Sequence, residues 1–278
     1  MEFEIKPRSQ FTLGVRELWQ YRELFYFFTW RDIKVRYKQA VLGVFWAILQ
    51  PLSMMLIFTF IFSRGLGMKS DGLPYPIFAF SGLMVWNIFS NGLQNAASSM
   101  VSNANIIKKI YFPRLIIPMS SILTALFDFL FAFIVFIGLI FYYQISFSFI
   151  KLIIFLPLSI LLTVMTTFGL GTFLAALNIK YRDFQYALPF FIQFLLFVNP
   201  ILYSSKSFNN PLFQKIMLFN PIAGAIDLVR SIFEVQQTQL GEGIKVSHIA
   251  FQFLTASIIL ILGIYFFRKT ESYFADLA

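Results

Sequence analysis

Long apolar segments alternate along the chain with short basic connections. Six segments lack Asp, Glu, Lys and Arg apart from Asp128 in the third, and each exceeds the ~20 residues that an α-helix needs to cross a bilayer core of ~30 Å. We therefore predict an all-α integral membrane protein, one domain over residues 1–278, with six transmembrane helices. The predicted spans cover about residues 40–63, 76–100, 115–142, 152–177, 185–205 and 246–267.

A basic amphipathic helix is predicted at residues 17–38, directly before the first span. Apolar and aromatic positions share one of its faces, at Tyr26, Trp30, Ile33, Tyr37 and Ala40. Basic positions share the neighbouring face, at Arg31, Lys34 and Lys38. This arrangement is typical of a helix that lies in the lipid interface. The alternative is an amphipathic helix of a soluble protein, which the direct junction with an uncharged segment disfavours.

The connection at residues 206–245, before the last span, contains a second apolar run. This run, from Ile216 to Ile226, is too short to cross a bilayer and is broken by Asn220-Pro221, so it predicts a re-entrant or interfacial hairpin. Its second half is predicted to lie as a helix on the outer membrane surface, with Asp227 and Arg230 on the polar face. A gate and a simple amphipathic connector both remain open as its role.

The distribution of charge predicts the orientation. The chain is 58% hydrophobic and only 13% charged, with a formal net charge of +9. Placing both termini in the cytosol puts fifteen Lys and Arg residues inside and seven outside, as the positive-inside rule requires. Basic residues at the ends of apolar segments also fit anionic lipid headgroups better than nucleic acid.

Several kinds of chemistry are disfavoured by the residue types. The chain has no Cys and a single histidine, His248, so we expect no thiol chemistry and no metal site. The acids predicted on the outer side form no evident pair, which disfavours a membrane glycosyl or phosphoglycosyl transferase. Gly65 to Ser70 reads GLGMKS and lacks the spacing of a phosphate-binding loop. We therefore expect no catalytic residue and no ATP hydrolysis by this chain.

Two polar features occur inside predicted spans. Asp128 is the only charged residue well inside a span, and both a functional role and a structural, hydrogen-bonded role remain open. The second span and its end carry a polar stripe at Asn87, Asn91, Gln94, Ser98, Ser102 and Asn105. Such a stripe faces either other helices, through hydrogen bonds, or a wet pathway.

Four ordered stretches carry a resemblance to a known family. They read WRDIKVRYKQAVLGVFWAILQPL from Trp30, NANIIKKIYFPRLIIPMS from Asn103, ALNIKYRDFQYALPFFIQFLLFVNPILY from Ala176 and NPIAGAIDLVR from Asn220. The chain resembles, over essentially its whole length, the permease subunit of ABC-2 type exporters of O-antigen, capsule or teichoic acid polymers.

The resemblance implies a transport subunit rather than an enzyme. A homodimer would join two copies of a separate cytosolic ABC ATPase in the cytoplasmic membrane of a bacterium, surrounded by membrane lipids and with no nucleic acid partner. It would export a lipid-linked glycan. This chain would bind no cofactor, and ATP and Mg²⁺ would be used by the partner. The rival within the family is an ABC-2 exporter of a drug or small lipid.

The resemblance also suggests where the working residues lie. Residues 103–114 would form the coupling loop that meets the ATPase, with candidates Ile106, Ile107, Lys108, Lys109, Tyr111, Phe112, Pro113 and Arg114. Among these candidates, Ile107, Tyr111 and Phe112 are expected to fill a groove on the ATPase. Candidates for lipid headgroup or interfacial contacts are Trp30, Arg31, Lys34, Tyr37 and Lys38. Candidate sugar-facing rings of the conduit are Trp46, Phe58, Phe62, Phe194, Phe197 and Tyr203. The outer gate would contain Asn220, Pro221, Asp227 and Arg230.

Overall fold

The computed structural model describes residues 15–38, 43–68, 70–181, 183–204, 210–233, 246–271 and 274. The helices are α1 (Val15–Gln20), α2 (Arg22–Lys38), α3 (Gly43–Phe58, continued by a π-helical segment Thr59–Gly65), α4 (Tyr75–Ser102), α5 (Ala104–Ile107), α6 (Ile116–Tyr142), α7 (Phe149–Lys180), α8 (Phe184–Val198), α9 (Pro211–Phe219), α10 (Pro221–Arg230) and α11 (Val246–Glu271). Within these residues the only β-pairing is an isolated bridge between Phe147 and Phe233. The predicted all-α class is therefore confirmed for the part of the chain that the structure describes.

Among the residues that the structure describes, four helices are long and apolar enough to cross a membrane, or up to five if the bent pair α9–α10 forms one span. They are Phe45–Gly65, Ile116–Tyr142, Phe149–Lys180 and Ser247–Glu271. The predicted second span corresponds to α4, which has 28 residues but is less apolar because of its Asn, Gln and Ser side chains. The predicted fifth span corresponds to α8, whose 15 residues extend only about 22 Å. The count of six spans therefore stays a prediction.

Helix α4 is the centre of the bundle. It packs against α6 and α7 along its length, and α7 in turn packs against α11. Most α4 side chains are buried, including Ile77, Met84 and Ala96. Because an uncharged helix surrounded by other helices does not need a lipid-facing surface, α4 can carry polar side chains that a peripheral span would not tolerate.

Helices α7 and α11 approach each other closely where they cross, at Gly169 and Gly263. A Cβ added at Gly263 would overlap the carbonyl group of Gly169, and one added at Gly169 would lie 2.6 Å from the carbonyl oxygen of Ile259. Lipid chains are as apolar as the helix surfaces, so close backbone packing replaces the hydrophobic effect as the force that holds such helices together. These two glycines permit that packing.

The two ends of the bundle have separate cores. At the end that we call the α2 end, Phe28 of α2 packs against Phe112 of the α5–α6 loop, in one apolar cluster with Phe267 of α11 and with Phe274. At the opposite end, which we call the α10 end, α10 packs against α4, α7 and α11. The bundle therefore presents two groups of connecting segments on opposite sides.

Candidate functional site

A cavity of about 160 Å³ lies at the C-terminal end of α2, between α3, α4 and α6. Its polar wall consists of Arg36, Tyr37, Gln50, Asn87, Asn91 and Asp128, and Trp46 lines it from α3. Asn87 and Asn91 come from the polar stripe predicted on α4. This half of the stripe therefore faces a cavity. Toward the C-terminal end of α4, the hydroxyl of Ser98 instead donates to the carbonyl of Gln94, and the hydroxyl of Ser102 donates to the carbonyl of Ser98.

Asp128 joins α6 to α2 through both of its carboxylate oxygens. The guanidinium of Arg36 donates to Oδ2 at 2.6 Å, and the hydroxyl of Tyr37 donates to Oδ1. The Tyr37 ring also packs against Phe127 and Phe131, at centroid distances of 5.7 and 6.1 Å. A charged group inside an apolar helix requires such partners, because an unpaired carboxylate is costly there.

Tyr37 acts as a hydrogen-bond donor to this carboxylate. Burial, together with the hydrogen bond to Asp128 and the negative charge of that group, raises the pKa of the Tyr37 phenol well above its usual value. The phenol is therefore protonated at physiological pH and can donate its proton to Oδ1. The C-terminal end of α2 is thus fastened to α6 by one ion pair, one hydrogen bond and two ring contacts.

The residues predicted to contact lipid headgroups have different surroundings along α2. The Arg31 guanidinium pairs with Asp32 at 2.7 Å and lies 4.8 Å from the centre of the Phe28 ring. Lys34 and Lys38 are exposed, and the Lys34 ammonium lies 5.3 Å from the Trp30 ring. Among the three basic candidates, Lys34 and Lys38 therefore have the more accessible charges.

The six rings predicted for the conduit do not form one group. Trp46 is 56% exposed and lines the cavity, and Phe194 and Phe197 are exposed on α8. Tyr203 is half-buried and its hydroxyl donates to the carbonyl of Val198 at 2.6 Å. Phe58 is buried in the core against the partly buried Phe62, with centroids 5.9 Å apart. The prediction that Phe58 faces a conduit is therefore wrong, because its ring is enclosed by the protein's own side chains.

The predicted coupling loop is partly folded into the core of the α2 end. Ile107 and Phe112 are only 5% and 3% exposed, and Phe112 lies against Phe28 at a centroid distance of 5.6 Å. The expectation that these two side chains project into a groove on the ATPase is therefore wrong. Pro113 is also buried and Ile106 is partly buried, whereas Lys108 and Lys109 are exposed.

The exposed tip of this loop is apolar and basic. Ile110 and Tyr111 are 59% and 72% exposed, beside the exposed Lys108 and Lys109. Arg114 fixes the base of the loop, because its guanidinium donates to the backbone carbonyl of Glu271 and lies 5.7 Å from the Phe274 ring. The loop is thus a braced projection whose outermost side chains are exposed.

The predicted outer hairpin bends by 89° between α9 and α10. Asn220 forms the corner: its side-chain oxygen accepts from the amides of Ile222 and Ala223 at 3.0 and 3.3 Å, and its side-chain amide donates to Asn199 at 3.0 Å. Pro221 occupies the first turn of α10, where its missing N–H costs nothing. Asn220 and Pro221 therefore define the start of α10.

Helix α10 is not a surface helix, so the prediction of an exposed polar face is wrong. Arg230 is 2% exposed. Its guanidinium donates to the carbonyls of Pro200 at 2.6 Å, Ile201 at 2.9 Å and Phe78 at 3.1 Å, and it stacks 3.5 Å from the centre of the Phe78 ring. Asp227 is the one α10 residue that is not fully buried. The helix is held inside because the guanidinium finds backbone acceptors there.

Two further contacts extend this arrangement. The Tyr75 hydroxyl donates to the carbonyl of Leu202 at 2.9 Å, and the Ser204 hydroxyl donates to Asp71 at 2.5 Å. Residues 199–204, the start of α4 and the end of α10 therefore form one hydrogen-bonded unit, which we call the Arg230 unit.

Sequence reasoning missed Arg36, Gln50 and Ile110 as site residues. The pairing of Arg36 with Asp128 could have been predicted from the sequence, because a lone acid within an apolar helix requires a partner and Arg36 belongs to the basic helix before the first span. No sequence pattern singled out Gln50 or Ile110, since the exposure of these side chains to a cavity or to solvent depends on how the helices pack.

The chain is similar to known transport proteins. The sequence profile of the family described as ABC-2 type transporter matches residues 23–233. The O-antigen export system permease protein RfbA of Klebsiella pneumoniae is 31% identical over 247 residues, which cover 89% of this chain and 92% of that protein. RfbA of Myxococcus xanthus is 28% identical over 222 residues, covering 79% of this chain and 83% of that protein. The polysialic acid transport protein KpsM of Escherichia coli is 24% identical over 249 residues, covering 87% and 91%.

These similarities confirm the resemblance that the four sequence stretches indicated. The profile match begins in α2 and ends just after α10, so it includes the cavity, the braced loop and the Arg230 unit. Because this match covers more than half of the chain, and a relative more than 30% identical aligns along most of it, the chain belongs to the ABC-2 type transporter family.

Proposed function

We propose that the chain is the permease subunit of an ATP-driven exporter that moves a lipid-linked polysaccharide from the cytosol across the cytoplasmic membrane of a bacterium. The observation that carries this proposal is the similarity, over 89% of the chain, to a permease named for O-antigen export. A second relative is named for polysialic acid transport. Two names that concern different polymers support a polysaccharide as the class of substrate rather than a drug or small lipid.

The proposed assembly is a homodimer in which each copy has six spans and cytosolic termini. The distribution of basic residues supports this orientation, since it places the α2 end in the cytosol. The spans would include α4 and α8, with the second copy covering the exposed aromatic face of α8. Lys34 and Lys38 would then lie at the cytosolic membrane surface, where they can attract the phosphate groups of the lipid-linked substrate or of anionic lipids.

The braced loop is the proposed contact with two copies of a separate cytosolic ATPase, which would use ATP and Mg²⁺. Its exposed Ile110 and Tyr111, flanked by Lys108 and Lys109, have the composition of a binding tip with an apolar centre and a charged rim. The bracing by Phe112 and Arg114 supports a role in transmitting force, because a loop packed into the core moves together with α2 and α11.

The first experiment is to purify the tagged protein from its native membrane in mild detergent and to identify its stoichiometric partners. We expect a co-purifying ABC ATPase at one to one and ATP hydrolysis by the complex. The double variant Ile110→Ala with Tyr111→Ala should lose that partner. The matched control, Phe141→Ala with Tyr142→Ala, removes two similarly exposed side chains at the far end of α6 and should retain the partner.

The substrate is tested in the same strain. Deletion of the gene should cause a lipid-linked glycan to accumulate inside the cell and should remove the corresponding polysaccharide from the cell surface. Complementation with the wild-type gene should restore export. Purification of the chain alone, without ATP hydrolysis in several detergents, would contradict the exporter proposal. Normal surface polysaccharide in the deletion strain, together with a co-purifying ATPase, would instead indicate export of a drug or small lipid.

A further inference from the structure

The cavity at the end of α2 has a neutral polar wall. Its two charged side chains, Arg36 and Asp128, are paired with each other at 2.6 Å, so their opposite charges offset each other at the cavity wall. A phosphate group would lie close to Asp128 and would compete with that carboxylate for Arg36. The electrostatics therefore disfavour an anionic headgroup and permit an uncharged polar group.

The hydrogen-bonding groups of the wall are amides. Gln50, Asn87 and Asn91 each present donors and an acceptor. Within the part of the chain that the structure describes, the amides of Asn87 and Asn91 form no hydrogen bond with a protein group. Both side chains are half-buried, and half-buried amides are stabilised by partners in the space that they face. Hydroxyl groups, which both donate and accept, match such a wall.

The remaining wall is apolar and includes one large ring. Trp46 is 56% exposed and lines the cavity, with Ala47 and Pro51 from the same helix. An indole ring offers a flat apolar surface against which the C–H face of a sugar ring can pack. At about 30 Å³ per water molecule, the space of about 160 Å³ corresponds to about five waters, a size that suits a single sugar ring rather than a longer glycan segment.

We propose that this cavity binds one neutral sugar residue, between Trp46 on one side and Asn87 and Asn91 on the other. The inference rests on the proposed function and adds to it the location and charge of a glycan subsite. The paired Arg36 and Asp128 form one end of the subsite and link it to α2. A sugar in the cavity would therefore lie next to the contact that fastens this helix to α6.

The absence of cysteine from the chain permits a direct test. Ala47→Cys places a single thiol in the cavity wall without removing any polar group, and the purified protein, with any partner it retains, is placed in lipid nanodiscs. The rate of labelling by a water-soluble maleimide is measured with methyl glycosides of the common neutral hexoses and with glycerol phosphate. Ser102→Cys, at an exposed position of α4 away from the cavity, is the matched control.

We expect at least one methyl glycoside to slow labelling at Ala47→Cys, about threefold at twice its Kd, and to leave Ser102→Cys unchanged. Adding Asn87→Leu and Asn91→Leu should abolish this protection. Stronger protection by glycerol phosphate than by any sugar would overturn the proposal in favour of an anionic headgroup site. Protection by neither compound would also overturn it.

An unreactive thiol is informative as well. If both Ala47→Cys and a second reporter on α6, Ala132→Cys, fail to react, the cavity is closed to water and the proposal fails. Labelling does not depend on transport or on ATP. A negative result here therefore leaves the export function to be judged by its own assays of partner and polymer.

Discussion

Replacing Arg230 should release the α10 end of the bundle. The Arg230→Met variant keeps most of the side-chain volume but removes three hydrogen bonds to backbone carbonyls and the stacking on Phe78. Two of these carbonyls, on Pro200 and Ile201, lie outside the helices, so they have no helical N–H donor to replace the guanidinium. Each buried acceptor left without a donor costs about 1–3 kcal/mol.

The net loss is smaller than the sum of these contacts. Removing Arg230 also removes the cost of burying a guanidinium, which offsets part of the loss. We therefore expect a destabilisation of about 3 kcal/mol, which corresponds to a decrease in Tm of about 6–10 °C for a domain of this size. The Tm of Arg230→Lys should fall between those of the wild type and of Arg230→Met. A lysine ammonium keeps the charge but lacks the planar fork of donors with which the guanidinium reaches three carbonyls.

The assay is thermal unfolding of the purified protein in detergent, followed by the fluorescence of its Trp residues. Arg64→Met is the matched control, since Arg64 is exposed at the end of the π-helical segment, and its Tm should equal that of the wild type. The reasoning is refuted if Arg230→Met unfolds at the wild-type temperature, because the buried guanidinium would then contribute no net stability.

Two other predictions concern the remaining helix contacts. Gly263→Leu should prevent the close crossing of α7 and α11 and should greatly lower the yield of folded protein on size-exclusion chromatography. Gly138 faces open space, so Gly138→Leu should give the wild-type yield. Equal yields from the two variants would mean that the close crossing is not required. Asp128→Asn removes the ion pair to Arg36, worth about 1.5 kcal/mol, and should make hydrogen exchange in the second half of α2 roughly tenfold faster. Asp32→Asn, which alters only a pair within α2, should not have this effect, and unchanged exchange in Asp128→Asn would contradict the role of Asp128 as a tether.

The sequence by itself determined which segments are helical and what family they belong to. Apolar runs at residues 40–63, 115–142, 152–177 and 246–267, charged only at Asp128, predicted four helices that are long and apolar enough to cross a membrane, because length and apolar composition are properties of a segment alone. The four family stretches identified the transporter family for the same reason, since they can be read without knowing which parts of the chain are in contact.

Only the tertiary structure decided which side chains are buried and what they contact. Arg230 had the spacing of a residue on an exposed polar face, yet carbonyls of residues 78, 200 and 201 surround it. Phe112 belonged to a loop with basic neighbours, yet Phe28 covers it. Asp128 finds its partners about ninety positions earlier in the chain. Periodicity records which side chains share a face of one helix, whereas burial and pairing depend on the other helices that meet that face.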